Sequence, residues 1–214
     1  SQNEYTITFD TDGGNVINPI TWPYGQNISV SDPVKEWYTF VGWSPELPAT
    51  MPDLDLTVKA QWTLNQYKIT FDTNGWTSID PIVQDYNTDV VAPANPTRDW
   101  YTFNGWDKTI PTTMPAENVT IKANWTINQY TITFSVDGGS DVVPITDEYG
   151  THLTAPTNPT KEGYTFKWWS PAFPETMPAE NLTLNAVWEI NTHTITFNSN
   201  GWTAVNPIQQ NYGT

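Results

Sequence analysis

The chain of 214 residues contains no cysteine, which excludes disulfide bridges, zinc–cysteine sites and a cysteine nucleophile. Basic residues are scarce, because 8 lysines and arginines stand against 23 aspartates and glutamates, for a net charge of −15. A surface this acidic repels nucleic-acid phosphates and anionic lipid headgroups, so we expect neither nucleic-acid binding nor docking on such a membrane. No apolar run approaches the roughly 20 residues of a transmembrane helix, so membrane insertion is not expected.

Charged residues make up only 14% of the chain, which is low for an ordinary cytosolic protein. Aromatic residues make up another 14%, including 12 tryptophans. Disordered chains are poor in aromatic residues, so the composition predicts a folded protein. The acidic balance suits a soluble extracellular surface and does not identify a partner.

An internal repeat with a period of about 63 residues organises the chain. The segment Tyr5–Phe9 (YTITF) returns, with at most one substitution, at Tyr67–Phe71, Tyr130–Phe134 and His193–Phe197. The repeat predicts full modules at residues 5–66, 67–129 and 130–192, a partial fourth module at 193–214, and residues 1–4 as the tail of a preceding unit or a linker.

The sequence begins and ends out of phase with this repeat. One interpretation is a slice of a longer array, and the other is a last unit that another chain completes. No signal peptide is recognisable and the first residue is Ser1 rather than Met, so we expect processing or trimming.

Each module is predicted to be a small, mainly antiparallel β unit. Strict alternation in the opening segment and at Leu56, Val58, Ala60 and Trp62 indicates strands with one buried face. An Asp-Gly or Asn-Gly pair after the first strand predicts a tight turn. Strict alternation places Trp43 outward, but Gly42 is suited to a β-bulge that would turn it inward. No segment shows a helical stripe over three turns.

The module pattern is Y-x-I-T-F-[DS]-x-[DN]-G, then P-I, Y-G and G-Y-T-F-x-G-W, and finally M-P-A-E-[DN]-[VL]-T-[LI]-x-A-x-W. This pattern resembles the Listeria–Bacteroides repeat, which is also the B-repeat of listerial internalins, and it covers essentially the whole chain. The resemblance implies a mainly β fold, a tandem array of small β-grasp-like modules of about 63 residues. It also implies a secreted or surface-anchored protein whose modules act as stalks, spacers or adhesive segments, and it supplies no catalytic residue.

Several tryptophans depart from the family pattern, and each replaces a glycine. Trp76 and Trp202 replace the second glycine after the first strand, and they lie two repeats apart. Trp168 replaces the glycine of F-x-G-W, whereas Trp37 and Trp100 replace the glycine of G-Y-T-F. The local backbone at these positions is therefore expected to differ from that of the family.

No catalytic or cofactor-binding residue is predicted. The only two histidines, His152 and His193, fall in different modules, and His193 simply occupies the position of Tyr5. The loop Asp10–Gly13 resembles the start of a calcium loop, but the rest of that loop is missing, so a structural turn is favoured over a metal site.

Four N-x-[ST] sequons could carry N-linked glycans in a host that glycosylates. Their number is no greater than chance predicts from 20 asparagines, although Asn118 and Asn181 occupy equivalent positions before the last strand of their modules. The candidate sites are Asn27, Asn118, Asn124 and Asn181.

The tryptophans fall into two sets. Trp43, Trp62 and their equivalents recur in every complete module, and we predict that they belong to the cores. The second set varies from module to module, and three roles are open for it: packing against a neighbouring module, a contact between chains, or stacking on carbohydrate. These candidate interface or ligand aromatics are Trp22, Trp37, Trp76, Trp100, Trp168 and Trp202.

Two functions compete. The first is an extracellular structural protein that forms a cell-surface stalk or spacer, or the subunit of a filament, through contacts with neighbouring repeats or by self-association. The second is an adhesin that binds glycans or a host surface protein through the variable tryptophans. An enzyme is not expected.

Overall fold

The computed structural model describes residues 2–214, and this range contains fourteen β-strands and no helix. No helix able to cross a membrane is therefore present among residues 2–214. The chain divides into two compact units. One unit contains the chain through Pro96 together with Gly105–Asn124, and the other contains Thr97–Asn104 together with Trp125–Thr214.

The strands repeat in groups of four. The first module contains β1 (Glu4–Asp10), β2 (Ile20–Pro23), β3 (Tyr38–Ser44) and β4 (Leu56–Leu64). The second contains β5 (Gln66–Asp72), β6 (Ile82–Asp85), β7 (Tyr101–Trp106) and β8 (Val119–Ile127). The third contains β9 (Gln129–Ser135), β10 (Ile145–Glu148), β11 (Tyr164–Ser170) and β12 (Leu182–Ile190), and the partial fourth contains β13 (Thr192–Ile195) and β14 (Ile208–Asn211).

Each complete module forms one four-stranded sheet with the order second, first, fourth and third strand. In the first module β1 pairs with β4 in parallel, with Ile7 opposite Leu56, whereas β1–β2 and β3–β4 are antiparallel. The proline-containing strand β2 lies at the sheet edge, where its missing N–H breaks no ladder. The fold is therefore mainly β, as the alternation predicts, and the central pair is the parallel one.

The core of each module lies between one face of the sheet and its two long connections. In the first module Ile7, Met51 and Val58 are fully buried, and Ile28 and Leu47 from the connections pack against them. The other two cores are built alike, around Ile69, Met114 and Ile121 and around Ile132, Met177 and Leu184. Loop side chains thus supply the second layer of the module.

The predicted β-bulge is confirmed. The register of β3 against β4 shifts between Phe40 and Gly42, and Trp43 then packs edge-on against Phe9, with ring centroids 5.3 Å apart. In the third module the same shift occurs at Trp168, which replaces the glycine. Trp168 is therefore exposed, and the following Trp169 is buried.

The turn after the first strand packs closely on the tryptophan of the fourth strand, which is half-buried and, although predicted to belong to the core, is not among the residues of the core clusters. The Trp62 indole N–H donates to the Thr11 carbonyl at 3.1 Å, and a Cβ added to Gly14 would lie 2.8 Å from Trp62 Cζ2. In the third module Trp188 donates to the Val136 carbonyl at 3.1 Å, and a Cβ on Gly139 would lie 2.6 Å from its Cζ2. In these two modules a side chain at the glycine would collide with the indole, whereas the second module has Trp76 at the equivalent position.

The partial fourth module is an antiparallel hairpin of β13 and β14. Ile195 and Phe197 are 44% and 45% exposed, whereas the equivalent Ile7 and Phe9 of the first module are 0% and 7% exposed. Among residues 2–214 this hairpin forms a two-stranded sheet, and its apolar side chains are exposed there.

Candidate functional surface at the module junctions

A single asparagine connects each module to the next. Asn65 is the only residue between β4 and β5, Asn128 the only one between β8 and β9, and Asn191 the only one between β12 and β13. Longer connections between secondary elements are usual, so a one-residue linker leaves little freedom at the joint.

The linker at the first junction is hydrogen-bonded on both sides. The Asn65 N–H donates to the carbonyl of Trp37 in the first module at 2.8 Å, and the Asn65 carbonyl accepts from the N–H of Tyr86 in the second module at 2.9 Å. The Asn65 side-chain oxygen accepts from the Thr39 hydroxyl at 2.6 Å. The linker therefore joins both modules through its own polar groups.

Two aromatic rings, one from each module, stack at the same junction. Trp37 has a φ of 65°, in the left-handed region, which costs a non-glycine residue roughly 1–2 kcal/mol. Its indole stacks on the phenol ring of Tyr86, with centroids 4.6 Å apart and planes inclined by 23°. An aromatic pair contributes about 0.5–1.5 kcal/mol beyond the area that it buries, which offsets much of the backbone cost.

The second junction repeats this geometry within the second unit. Asn128 donates to the Trp100 carbonyl at 2.8 Å and accepts from the Tyr149 N–H at 2.9 Å. Trp100 has a φ of 63°, and its ring stacks on Tyr149 with centroids 4.5 Å apart and planes inclined by 15°. The Thr102 hydroxyl donates to the Asn128 side-chain oxygen at 2.7 Å.

The third junction uses a glycine in place of the tryptophan. Asn191 donates to the Gly163 carbonyl and accepts from the Tyr212 N–H, both at 2.8 Å. The Tyr212 ring lies over the glycine so closely that a Cβ there would sit 1.9 Å from Tyr212 Cδ1. The Tyr212 hydroxyl donates to a Glu162 carboxylate oxygen at 2.7 Å, and this bond, aided by the carboxylate charge, raises the pKa of Tyr212.

The six variable tryptophans therefore occupy three kinds of place. Trp37 and Trp100 lie at the first two junctions, and Trp22 is half-buried against the core of the first module, so it is not part of an exposed set. Trp76, Trp168 and Trp202 lie at neither place and are 42%, 57% and 85% exposed, and the junction residues Trp37 and Trp100 are also 38% and 40% exposed.

Sequence reasoning did not single out the two other partners at each junction. The linker asparagines and the tyrosines that they contact recur with the period of the repeat, at Asn65, Asn128 and Asn191 and at Tyr86, Tyr149 and Tyr212. That recurrence was a usable signal. The same tyrosine position in the first module is Tyr24, whose N–H lies 3.4 Å from the Asn3 carbonyl and whose side chain is 64% exposed.

The four sequon asparagines are all exposed, at Asn27, Asn118, Asn124 and Asn181. Asn118 and Asn181 also brace a sheet, because their side-chain oxygens accept from the backbone N–H of Lys68 and Thr131, both at 2.8 Å. Asp55 does the same for Thr6 in the first module. Asparagine at this position therefore has a structural use that is independent of a glycan.

Within residues 2–214, no group of three or more His, Asp or Glu side chains lies together as the ligands of a cation would. In the first turn Asp10 accepts from the Asp12 N–H at 3.0 Å, and Asp12 adopts a φ of 48°, which is the geometry of a structural turn.

Comparison with known proteins identifies the family to which the repeat belongs. The model of the Listeria-Bacteroides repeat domain matches residues 5–61, 67–127 and 130–187, which is most of the chain. The chain belongs to the Listeria-Bacteroides repeat family. The resemblance predicted from the Y-x-I-T-F and M-P-A-E motifs is therefore confirmed, and the protein is a tandem array of these repeats.

Relatives of this repeat protein are much longer. One relative, from Evansella cellulosilytica, is named a Gly-rich membrane protein. It is 31% identical over 245 aligned residues, which cover 99% of this chain and 28% of that protein. Internalin H of Listeria monocytogenes is 35% identical over 145 residues, 58% of this chain and 25% of that protein. The chain thus spans about a quarter of the length of these relatives.

One solved structure is similar in part: domains 3–4 of the Streptococcal High Identity Repeats in Tandem of a cell surface protein. It shares 17% identity and a TM-score of 0.25, covering 59% of this chain and 98% of that one. A TM-score this low supports no conclusion about the present chain.

Proposed function

We propose that this chain is a spacer segment of an extracellular, surface-displayed protein, in which consecutive modules are held at fixed joints. The supporting observation is the one-residue linker whose N–H and carbonyl are both hydrogen-bonded, to Trp37 and Tyr86 at the first junction. A spacer must keep its direction from one module to the next. A linker that is hydrogen-bonded to both modules restricts bending, whereas a flexible Gly/Ser linker would permit it.

Relatives support the same location. The names of two relatives are those of a membrane protein and an internalin, and both proteins are several times longer than this chain. A segment of tandem repeats within a long surface protein would set the distance between the membrane or wall and the remaining domains. We propose no catalytic activity for this segment, because its recurring polar contacts serve the joints.

Distance measurement between two modules of the first unit tests the proposal. The chain has no native cysteine, so Val41→Cys and Val83→Cys can carry spin labels at exposed positions of β3 and β6. Pulsed electron–electron double resonance of the doubly labelled parent should give a narrow distance distribution. Insertion of Gly-Ser-Gly after Asn65 should broaden it, because three flexible residues would then lie between the Asn65 linker and β5 of the second module.

A matched control places the same insertion after Ser31, in an exposed connection of the first module, and should leave the distribution narrow. If the parent distribution is as broad as that of the Asn65 insertion, the joints are flexible and the spacer proposal fails.

A second candidate function, adhesion, is favoured by the exposed indoles of Trp76, Trp168 and Trp202. Exposed aromatics of this size commonly mark contact surfaces. Replacement of each by alanine should weaken attachment to a glycan or host surface in a binding assay, and should leave the spin-label distances unchanged. The exposed Ile195 and Phe197 are the corresponding candidates for contact between chains in a filament.

A further inference from the structure

A shallow polar depression marks the second junction and has no equivalent chemistry at the other two. It lies in the second unit, where β8 ends and β9 begins, beside β7 and β10. Its principal lining residues are Asn104, Thr126, Asn128, Gln129, Tyr130 and Glu148.

The polar groups of this depression are left open to solvent. Asn104 donates through its amide to the Thr126 hydroxyl, which leaves its carbonyl oxygen available. Within residues 2–214, the side chains of Gln129 and Glu148 make no hydrogen bond to the protein. The depression is therefore surrounded by the Asn104 amide oxygen, which accepts hydrogen bonds, by the Gln129 amide, which donates and accepts, and by the Glu148 carboxylate.

At the other junctions some of the equivalent positions are apolar and others are paired with each other. At the first junction the position of Asn104 is Val41, and Gln66 donates to Asp85 at 2.9 Å where Gln129 and Glu148 remain apart. At the third junction the positions of Asn104 and Thr126 form the ion pair of Lys167 with Glu189, at 2.6 Å. At the third junction Thr192 and Asn211 stand at the positions of Gln129 and Glu148, so among the residues that the structure describes an open amide oxygen, a glutamine and a carboxylate come together only at the second junction.

From this geometry we propose that the second junction binds a short neutral oligosaccharide. Sugar hydroxyls donate and accept in the directions that the planar amide and carboxylate groups of Asn104, Gln129 and Glu148 offer. The half-buried ring of Tyr130 supplies an apolar surface for the C–H face of a sugar ring. Shape and chemistry thus match a polyhydroxylated ligand rather than an apolar one.

Charge selects among sugars. Glu148 accepts hydrogen bonds from hydroxyl groups, but it repels a carboxylate or phosphate, and the chain as a whole carries a net charge of −15. Neutral and N-acetylated sugars are therefore preferred over uronic acids or phosphorylated glycans. This binding function goes beyond the spacer role and does not depend on the stiffness of the joints.

Titration of the isotope-labelled full chain with four neutral series, namely cello-, xylo-, malto- and chito-oligosaccharides, tests the proposal by NMR. At least one series should shift the side-chain amide signals of Asn104 and Gln129 and the backbone signals of residues 126–130. Asn104→Val and Gln129→Ala should each weaken that binding by about two- to tenfold, the equivalent of one lost hydrogen bond.

Gln66→Ala is the matched control, because it removes the same side chain from the first junction and should leave the affinity unchanged. The spectra of all variants also report whether each remains folded. The proposal is overturned if none of the four series shifts any signal, or if the shifts map to Trp76, Trp168 or Trp202 instead. An oligogalacturonide that binds as tightly as the neutral sugars would overturn the charge preference.

Discussion

The indole of Trp37 stacks on the phenol ring of Tyr86 from the following module, with ring centroids 4.6 Å apart. Trp37 does so from a left-handed backbone conformation that the family pattern reserves for glycine. The backbone strain and the ring stack therefore come from the same residue, and the same combination recurs at Trp100 and Tyr149. At these junctions a tryptophan accepts the cost of a positive φ and gains an aromatic contact with the next module.

Trp37→Ala should weaken the first junction more than Trp37→Gly does. Both variants lose the ring stack, but alanine keeps the cost of positive φ and glycine does not. The difference should be about 0.5–1 kcal/mol, after allowance for the greater freedom of glycine in the unfolded chain. Hydrogen exchange of the Asn65 and Tyr86 amides measures the free energy of opening the junction.

The same pair of substitutions at Trp100 provides a second test, read from the amides of Asn128 and Tyr149. Equal opening free energies for alanine and glycine at both sites would show that the left-handed conformation carries no cost there.

Gly163→Trp should convert the third junction to the geometry of the first two. The new side chain cannot coexist with the present position of the Tyr212 ring, since a Cβ alone would lie 1.9 Å from it. We expect the ring to move onto the indole and release Glu162, while the Asn191 and Tyr212 backbone bonds persist. Nuclear Overhauser contacts between the new indole and Tyr212 would establish the stack.

Gly163→Ala is the companion variant, because it introduces the collision and positive-φ strain without offering a stacking surface. It should reduce amide protection at Tyr212. Equal protection of the two variants would argue against stacking as the compensating interaction.

High pH should loosen the partial fourth module from the third. The hydrogen bond to Glu162 and the charge of that carboxylate raise the pKa of Tyr212 above its ordinary value of 10.0. The folded state thus holds this proton more tightly than the unfolded state, so the contribution is complete below pH 10 and is lost as pH rises through the raised pKa.

The difference in tyrosinate absorbance between the parent and Tyr212→Phe measures this pKa. Glu162→Gln should return it toward the ordinary value, because the glutamine lacks the charge. An unchanged pKa in Glu162→Gln would remove Glu162 as the cause.

Gly139→Ala should destabilise the third module by about 1–3 kcal/mol, because the added methyl group would overpack the turn against Trp188. The Cβ of the new alanine would lie 2.6 Å from Trp188 Cζ2. We also expect the Trp188 indole N–H signal to shift as its bond to the Val136 carbonyl is disturbed. Urea unfolding followed by NMR measures both effects.

Gly150→Ala is the contrasting variant, because Gly150 has a φ of 78° and no atom within 4 Å of an added Cβ, so the substitution adds positive-φ strain without a collision. It should cost some stability and leave the Trp188 signal in place. A Trp188 signal that is unmoved in Gly139→Ala would contradict the close packing.

Most of the fold could be predicted from local pattern. Alternation placed Ile7, Phe9 and Val58 on buried faces, and all three are buried. Asp-Gly and Asn-Gly pairs predicted the turns, and Gly42 predicted the bulge that brings Trp43 into the core. These features depend on neighbouring residues along one strand, where side-chain period and backbone freedom act directly.

The candidate site could be predicted only in part. The sequence by itself determined the repeat, the family and the scarcity of charge, and it drew attention to tryptophans that replace glycines. Only the tertiary structure decided that Trp37 faces Tyr86, that Trp22 belongs to a core and that Gln129 and Glu148 remain unpaired beside Tyr130. The physical reason is distance along the chain: alternation determines which face of a strand is buried, but contacts between distant segments depend on strand order and on the single residue that joins one module to the next.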